Sequence, residues 1–262
     1  AAPDGFSVTM GAGGSTRTGT HDTALAIREA TGRPVTAHLT ALGLSREEVR
    51  QAAGRFRADG ITRILALRGD RPRAVQGPLP PGYAHAAELV AALRSWHDFE
   101  VWVAAYPEKH PEAGTLDEDI DHLKEKLDSG ATRAVCQFVL NPEAYGRFLD
   151  RCARHGIDVP IVPGVMPLEN WQRIRSFARS NGTSVPDWLD RLFEGTEDAP
   201  EAARLAAMAA TVEQARRLVA YGAPALHVYA LNRWQLPLAL ARLLGHADHG
   251  ARAVAAGARR PP

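Results

Sequence analysis

The sequence predicts an α/β fold, a (β/α)8 TIM barrel of which seven strand–helix units are visible. Three observations lead there. Short apolar, β-branched runs alternate seven times with amphipathic helical patterns, and no hairpin signal interrupts them. Polar residues suited to chemistry follow six or seven different strands, whereas an open doubly wound sheet gathers its site at one switch point. The length, 262 residues, is that of one large α/β domain. The opening Ala1-Ala2-Pro3-Asp4-Gly5 has no initiator Met and runs almost directly into a strand. With seven units counted, that start predicts a first unit absent from this chain, upstream of Ala1.

Phe6–Thr9 reads as the first visible strand, followed by the loop Met10–Thr20 and a helix from His21 to Thr31. Gly11, Gly13 and Gly14 begin like a dinucleotide fingerprint. Thr16 stands where its third glycine belongs, no acidic residue ends the next strand, and no Lys supplies a phosphate-cradling loop. A turn needing positive φ accounts for these glycines equally well. The next strand, within Val35–Thr40, ends on His38; the helix after it spans Ser45–Ala58, with Ser45 and Glu48 spaced as a capping box. A third strand, Thr62–Leu67, delivers Arg68-Gly69-Asp70 and then a Pro/Gly-rich loop through Gly82. Loops that long in a compact domain are functional or mobile. A helix resumes near Ala84 and runs to Ser95.

The fourth strand, Val101–Ala105, stops and at once releases Tyr106, Glu108, His110 and Glu112, stiffened by Pro107 and Pro111. This is a buried strand delivering polar groups from its carboxyl end. In the helix Leu116–Asp128, Leu116, Ile120, Leu123 and Leu127 form the buried stripe, while Asp119, His122 and Lys126 share a neighbouring face that by default is solvated. Gln137 interrupts the apolar fifth strand, Arg133–Val139. An unpaired buried amide is costly, so Gln137 requires a structural bond or a ligand. The sixth unit is Val159–Val162, a turn at Pro163–Pro167 and a helix over Leu168–Arg179, where Phe177 reads as core. Pro186–Phe193 and Glu201–Tyr221 are further helices; the seventh strand, Ala225–Ala230, leads into Leu231-Asn232-Arg233 and a helix to Leu244. The single barrel domain covers 1–245. The tail, 246–262, has no apolar periodicity and reads as flexible. His246 and His249 lack a third ligand, so no metal site is expected.

The 31 basic and 30 acidic residues are evenly spread and leave a net charge of +1, which argues against nucleic acid as a partner. No apolar run approaches the ~20 residues of a membrane span, and no basic-then-apolar leader opens the chain. Cys136 and Cys152 lack C-x-x-C spacing and read as reduced thiols. A soluble, cytoplasmic protein is expected.

With these residues assembled, the chain resembles the bacterial-type methylenetetrahydrofolate reductase family. The likeness rests on Ser7-Val8-Thr9 with Gly11-Ala12, Ala37-His38-Leu39-Thr40, Ala66-Leu67-Arg68-Gly69-Asp70, and Ala105-Tyr106-Pro107-Glu108 with His110-Pro111-Glu112-Ala113. It continues in Gln137-Phe138, Pro163-Gly164 and Leu231-Asn232-Arg233. The resemblance implies an eight-stranded barrel that binds FAD at the carboxyl ends of its strands. It also implies a ping-pong hydride transfer in which NADH or NADPH is oxidised and 5,10-methylenetetrahydrofolate becomes 5-methyltetrahydrofolate. By position it assigns Thr9, His38, Arg68, Gly69, Asp70, Ala84, Tyr106, His110, Ala113, Asp119 and Lys126 to the flavin. To the folate it assigns Asp70, Gln137, Phe177 and Arg233, with Asp70 as the catalytic residue.

Three departures from the family pattern carry expectations of their own. The family's general-acid Glu lies in a Phe-Glu-Phe-Phe-Pro-Pro-like first strand, and this sequence begins after that strand would have ended. Met10 stands in place of a Tyr, and His122 and Glu125 in place of Asn and Arg near the cofactor's diphosphate. A carboxylate repels a diphosphate, so weak FAD binding is expected. A flavin-independent or demethylating folate relative, or a catalytically silent ligand-binding fragment, are the alternative readings. A homo-oligomer is expected, since barrels of this kind commonly associate.

Overall fold

A computed structural model of the protein describes residues 3–10, 19–69 and 82–245. The glycine loop after Met10, Asp70 with the Pro/Gly-rich segment that follows it, and the tail lie outside the described residues. Seven strands form one sheet: β1 (Phe6–Val8), β2 (Val35–Thr40), β3 (Arg63–Leu67), β4 (Glu100–Ala105), β5 (Arg133–Phe138), β6 (Ile161–Val165) and β7 (His227–Val228). They lie side by side in sequence order, every neighbouring pair parallel. Helices alternate with them: α1 (Gly19–Thr31), α2 (Arg46–Ala58), α3 (Ala86–Trp96), α4 (Leu116–Asp128), α5 (Pro142–Arg154), then α6 (Trp171–Ser180), α7 (Asp187–Phe193) and α8 (Pro200–Ala220) between β6 and β7, and α9 (Gln235–Leu243).

Laid flat, a seven-stranded sheet would hold its outer strands roughly 29 Å apart, at ~4.8 Å per spacing. Instead Ser7 Oγ of β1 lies 3.3 Å from Nε2 of His227 in β7. The sheet is therefore curled into a TIM-barrel-like wall, and the side chains of its first and last strands meet across the interior.

Register decides what faces that interior. Ser7 pairs with Thr36, His38 with Leu65, Arg63 with Glu100, Leu65 with Trp102, and Trp102 with Arg133. Paired residues share a face and the pleat alternates, so Ser7, Thr36, His38, Thr40, Arg63, Leu65, Glu100, Trp102, Ala104, Arg133 and Val135 lie on one side. On the other side Val101, Val103 and Ala105 are buried in one cluster with Leu89, Leu93, Ile120 and Leu123 of the covering helices. The amino-terminal end of the interior is filled by a polar plug. Arg63 Nε donates to Glu100 at 2.6 Å, Trp102 Nε1 donates to the other Glu100 oxygen at 2.9 Å, and the Arg133 guanidinium stacks 4.9 Å from the Trp102 ring. These groups occupy the amino-terminal end, while the polar residues singled out from the sequence follow the carboxyl ends of the strands.

Local chemistry explains the helix starts. Ser45 and Glu48 satisfy each other's backbone donors at α2, as their spacing predicts, and Thr115 with Glu118 does the same at α4. Several boundaries differ from the sequence reading. His38 does not end β2, because Leu39 and Thr40 continue the pairing with Ala66 and Leu67. The sixth strand sits later than expected and takes in Pro163 and Gly164. A register shift between Val135 and Phe138 makes room for the proline, and Gly164 pairs with both Phe138 and His227. The seventh strand shrinks to His227–Val228. Cys136 and Cys152 are buried and unbridged, and burial pushes the thiol of each up. No helix among the described residues is long and apolar enough to cross a membrane.

A second core lies beyond the ends of β5 and β6, where Phe138, Leu140, Met166 and Leu168 meet Trp171, Ile174 and Ala178 of α6, Leu189 and Phe193 of α7, and Ala207 and Ala210 of α8. Trp171 stacks on Phe193 at 5.2 Å and donates its indole N–H to Asp190 at 3.0 Å. α6 is thereby fixed over the barrel rim.

Candidate functional site

The carboxyl end of the interior collects most of the residues singled out from the sequence. His38 is buried on β2, and its Nε2 has no hydrogen-bond partner among the described residues. Burial, with the neighbouring His227 adding to it, pulls the His38 imidazole down to about 3; burial alone brings His227 to about 4. Both rings are neutral at physiological pH. Thr9 follows β1, its carbonyl accepting from the Thr20 hydroxyl at 3.1 Å, and Met10 beside it accepts the Thr40 N–H on sulfur at 3.3 Å.

At the end of β3, Gly69 adopts φ +88, and a Cβ there would lie 2.1 Å from Thr40 Cγ2. Only glycine fits, and bare backbone is presented to the mouth. Arg68 is tied to Glu112 of the next loop at 2.6 Å. Ala84 is exposed just before α3. After β4 the Tyr106 and His110 rings meet edge to face at 4.7 Å, and the His110 N–H is accepted by the buried Asp119 carboxylate at 2.9 Å. The Ala113 N–H donates to His110 O, and its carbonyl accepts from Lys109 Nζ. Lys126 donates to Ala104 O at 2.7 Å, and burial outweighs the nearby Asp119 to lower its ammonium to about 8.

Gln137 stands at the end of β5. Its Oε1 accepts from the Phe138 N–H at 3.0 Å, so the amide nitrogen is the part left to donate to a ligand. Phe177, expected as core, is instead 45% exposed and stacks on Phe138 with centroids 5.5 Å apart and planes 17° from parallel. Phe138 in turn meets Tyr229 edge-on at 6.4 Å, and Tyr229 meets His227 at 5.2 Å. A floor of rings thus runs from β7 to α6. His227, Tyr229 and Phe138 were missed from sequence. The alternation His227-x-Tyr229 was the available signal, and only the closure of the sheet gives it a meaning. Arg233 sits at the rim, 72% exposed and paired with Glu169 at 3.1 Å. Asp70 lies outside the described residues.

Comparison with known proteins settles the family. The profile for methylenetetrahydrofolate reductase matches residues 1–245. The chain belongs to the methylenetetrahydrofolate reductase family. The 5,10-methylenetetrahydrofolate reductase of Pectobacterium carotovorum subsp. carotovorum is 40% identical over 243 residues, covering 93% of this chain and 80% of the relative. That of Escherichia coli (strain K12) is 37% identical over 247 residues, covering 93% and 81%. The Arabidopsis thaliana protein named methylenetetrahydrofolate reductase (NADH) 1 is 31% identical over 271 residues; the match spans 97% of this chain and 45% of that one. Two solved structures share the fold. A Clostridium thermocellum protein described as binding two copies of 5-methyl-5,6,7,8-tetrahydrofolic acid aligns with TM-score 0.50 at 14% identity, covering 91% and 92% of the two chains. A phosphoenolpyruvate phosphomutase from Streptomyces platensis subsp. rosaceus aligns with TM-score 0.51 at 18% identity, covering 99% and 80%. Within the reductase family, then, this member keeps a ring-floored, polar-rimmed mouth at the carboxyl end of a curled parallel sheet.

Proposed function

We propose that this chain carries hydride from NADH or NADPH, by way of bound FAD, to the one-carbon bridge of 5,10-methylenetetrahydrofolate, whose bond to N10 breaks as N10 takes up a proton from solvent, giving 5-methyltetrahydrofolate. The observation that carries the reading is the ring floor ending beside Gln137, a seat for a flat heterocycle with an amide at its edge. The names of the relatives point to the same substrate.

The chain's residues fit FAD. The buried, unpartnered His38 Nε2 is a polar atom for a flavin edge, and the bare Gly69 backbone allows close approach. Lys126 is a cation held in a low-dielectric setting where an anionic group would be welcome. FAD, when bound, supplies a two-electron carrier between nicotinamide and folate. Thr9, His38, Arg68, Gly69, Ala84, Tyr106, His110, Ala113, Asp119 and Lys126 hold it; in this role Asp119 acts by orienting His110. Gln137 donates to the folate, Phe177 stacks on it, and Arg233 offers its guanidinium to a folate carboxylate in competition with Glu169. Asp70 stabilises the cationic iminium form of the substrate through its carboxylate.

The test separates the half-reactions. In Asp70→Asn, flavin reduction by NADH stays within about twofold of the parent while transfer to methylenetetrahydrofolate slows about 100-fold. Equal slowing of both halves would remove the folate-directed role. A colourless purified chain that still oxidises NADH with methylenetetrahydrofolate would replace the FAD route with a flavin-free one.

Lys126 yields a second expectation. Its folded value, about 8, lies below the unfolded 10.5, so at neutral pH the folded state bears a charge it holds reluctantly, and stability rises as pH climbs from about 8 to 10.5. Lys126→Met should leave the ligand-free fold about 1–2 kcal/mol more stable in urea titrations while weakening FAD binding at least tenfold.

A further inference from the structure

Glu108 belongs to none of the roles above, yet it joins two parts of the mouth that are 76 residues apart in sequence. The turn Tyr106–Lys109 after β4, closed by the Lys109 N–H to Tyr106 O at 3.2 Å, holds Glu108 at the rim. One carboxylate oxygen accepts the Ser184 backbone N–H at 2.9 Å and the other accepts the Ser184 hydroxyl.

Ser184 lies four residues past Ser180, the last residue of α6. That end is built as a Schellman cap: Gly182, at φ +72, donates to Arg179 O at 3.3 Å, and Thr183 donates to Ala178 O at 3.0 Å. The Phe177 carbonyl accepts from the Ser180 hydroxyl and the Asn181 amide, each at 2.8 Å. The segment between Phe177 and Ser184 is thus held by a compact set of hydrogen bonds. The cleft beneath them is lined by Tyr106, Gln137, Phe138 and Gly182, with Glu108 on its wall. Buried Trp171, Ile174 and Ala178 anchor α6 in the second core, and the segment past its capped end is held by Glu108.

We propose that Glu108 is a positioning residue: by clasping Ser184 it sets the seat of Phe177 over Phe138, and hence the fit of a flat folate ring beside Gln137. This rests on the reading that the mouth of the barrel receives folate. Glu108→Ala removes both bonds, Ser184→Ala removes only the hydroxyl bond, and Glu108→Gln retains one carbonyl acceptor.

The experiment titrates the full chain with 5-methyltetrahydrofolate, following protein fluorescence, and measures steady-state kinetics with methylenetetrahydrofolate. The expected result is folate Kd and KM about tenfold higher in Glu108→Ala and about threefold higher in Ser184→Ala and Glu108→Gln. The kcat should stay within twofold and the melting temperature within ~2 °C of the parent, a split that loss of folding would not produce. Kd and KM unchanged in Glu108→Ala, or a loss confined to kcat, would overturn the clasp. If Glu108→Ala fails to fold, Ser184→Ala decides by the same readings. A parent chain that binds folate without turning it over would count against the reductase reading alone, because the comparison of Kd values still judges the clasp.

Discussion

Acidification from pH 7 to pH 5 should remove about 3–4 kcal/mol of folding stability, because the barrel interior holds two imidazoles that the fold keeps neutral. His38 and His227 titrate at about 3 and about 4 when folded, against 6.5 for a free histidine. As pH falls below 6.5 the unfolded chain takes up two protons that the folded chain refuses, so stability declines through that window and down to about pH 4. At pH 5 each imidazole contributes up to about 2 kcal/mol of this penalty, at 1.36 kcal/mol per pH unit of separation. For a chain of this size the melting temperature should fall by about 10 °C. The window is diagnostic, since Glu112, held below the usual carboxylate range by its hydrogen bond from Arg68, loses its contribution only below about 4.5. Urea titrations at pH 7, 6 and 5 give the slope, and His227→Gln should roughly halve it. A stability change under 1 kcal/mol between pH 7 and 5 would contradict the neutral pair.

Gly164→Ala is expected to cost about 3 kcal/mol, far more than a methyl group ordinarily does. A Cβ at this position would lie 2.5 Å from the Tyr229 ring, 2.8 Å from Cys136 O and 2.9 Å from Phe138 Cα. Two of those neighbours are backbone atoms of β5 and cannot rotate away, so the sheet must separate locally. The same atoms carry Phe138 under Phe177 and receive the Tyr229 hydroxyl on Cys136 O at 3.2 Å. Folate affinity should therefore drop together with stability. A denaturation midpoint shifted by less than the equivalent of 1 kcal/mol would show that β5 and β6 can part cheaply. Gly156, at φ +70 with open space around it, is a useful contrast, since alanine there meets backbone strain but no neighbour.

These two positions also mark how far the sequence could be read. The strand–helix alternation, the capping boxes, the buried stripe of α4 and the polar residues after β4 are local patterns, and local patterns follow from residue type and spacing. Gln137 was legible as an oddity for the same reason. Pro163-Gly164 was misread as a turn because a proline and a glycine side by side look like one. Inside a parallel sheet, the glycine is demanded by the Tyr229 ring and the proline is accommodated by a shift of register. Phe177 was misread as core because its helix has an apolar stripe, and only the packing of Trp171, Ile174 and Ala178 shows that the stripe is filled without it.

Taken by itself, the sequence determined a seven-unit parallel α/β chain whose polar groups leave the carboxyl ends of its strands, because alternation and capping are properties of neighbours along the chain. Tertiary structure decided that Ser7 meets His227, that His38 is buried neutral, that rings from β5, β7 and α6 share one floor, and that Glu108 reaches Ser184. Those contacts depend on how sharply the sheet curls and on the register between strands, quantities set by long-range packing rather than by any short stretch of residues.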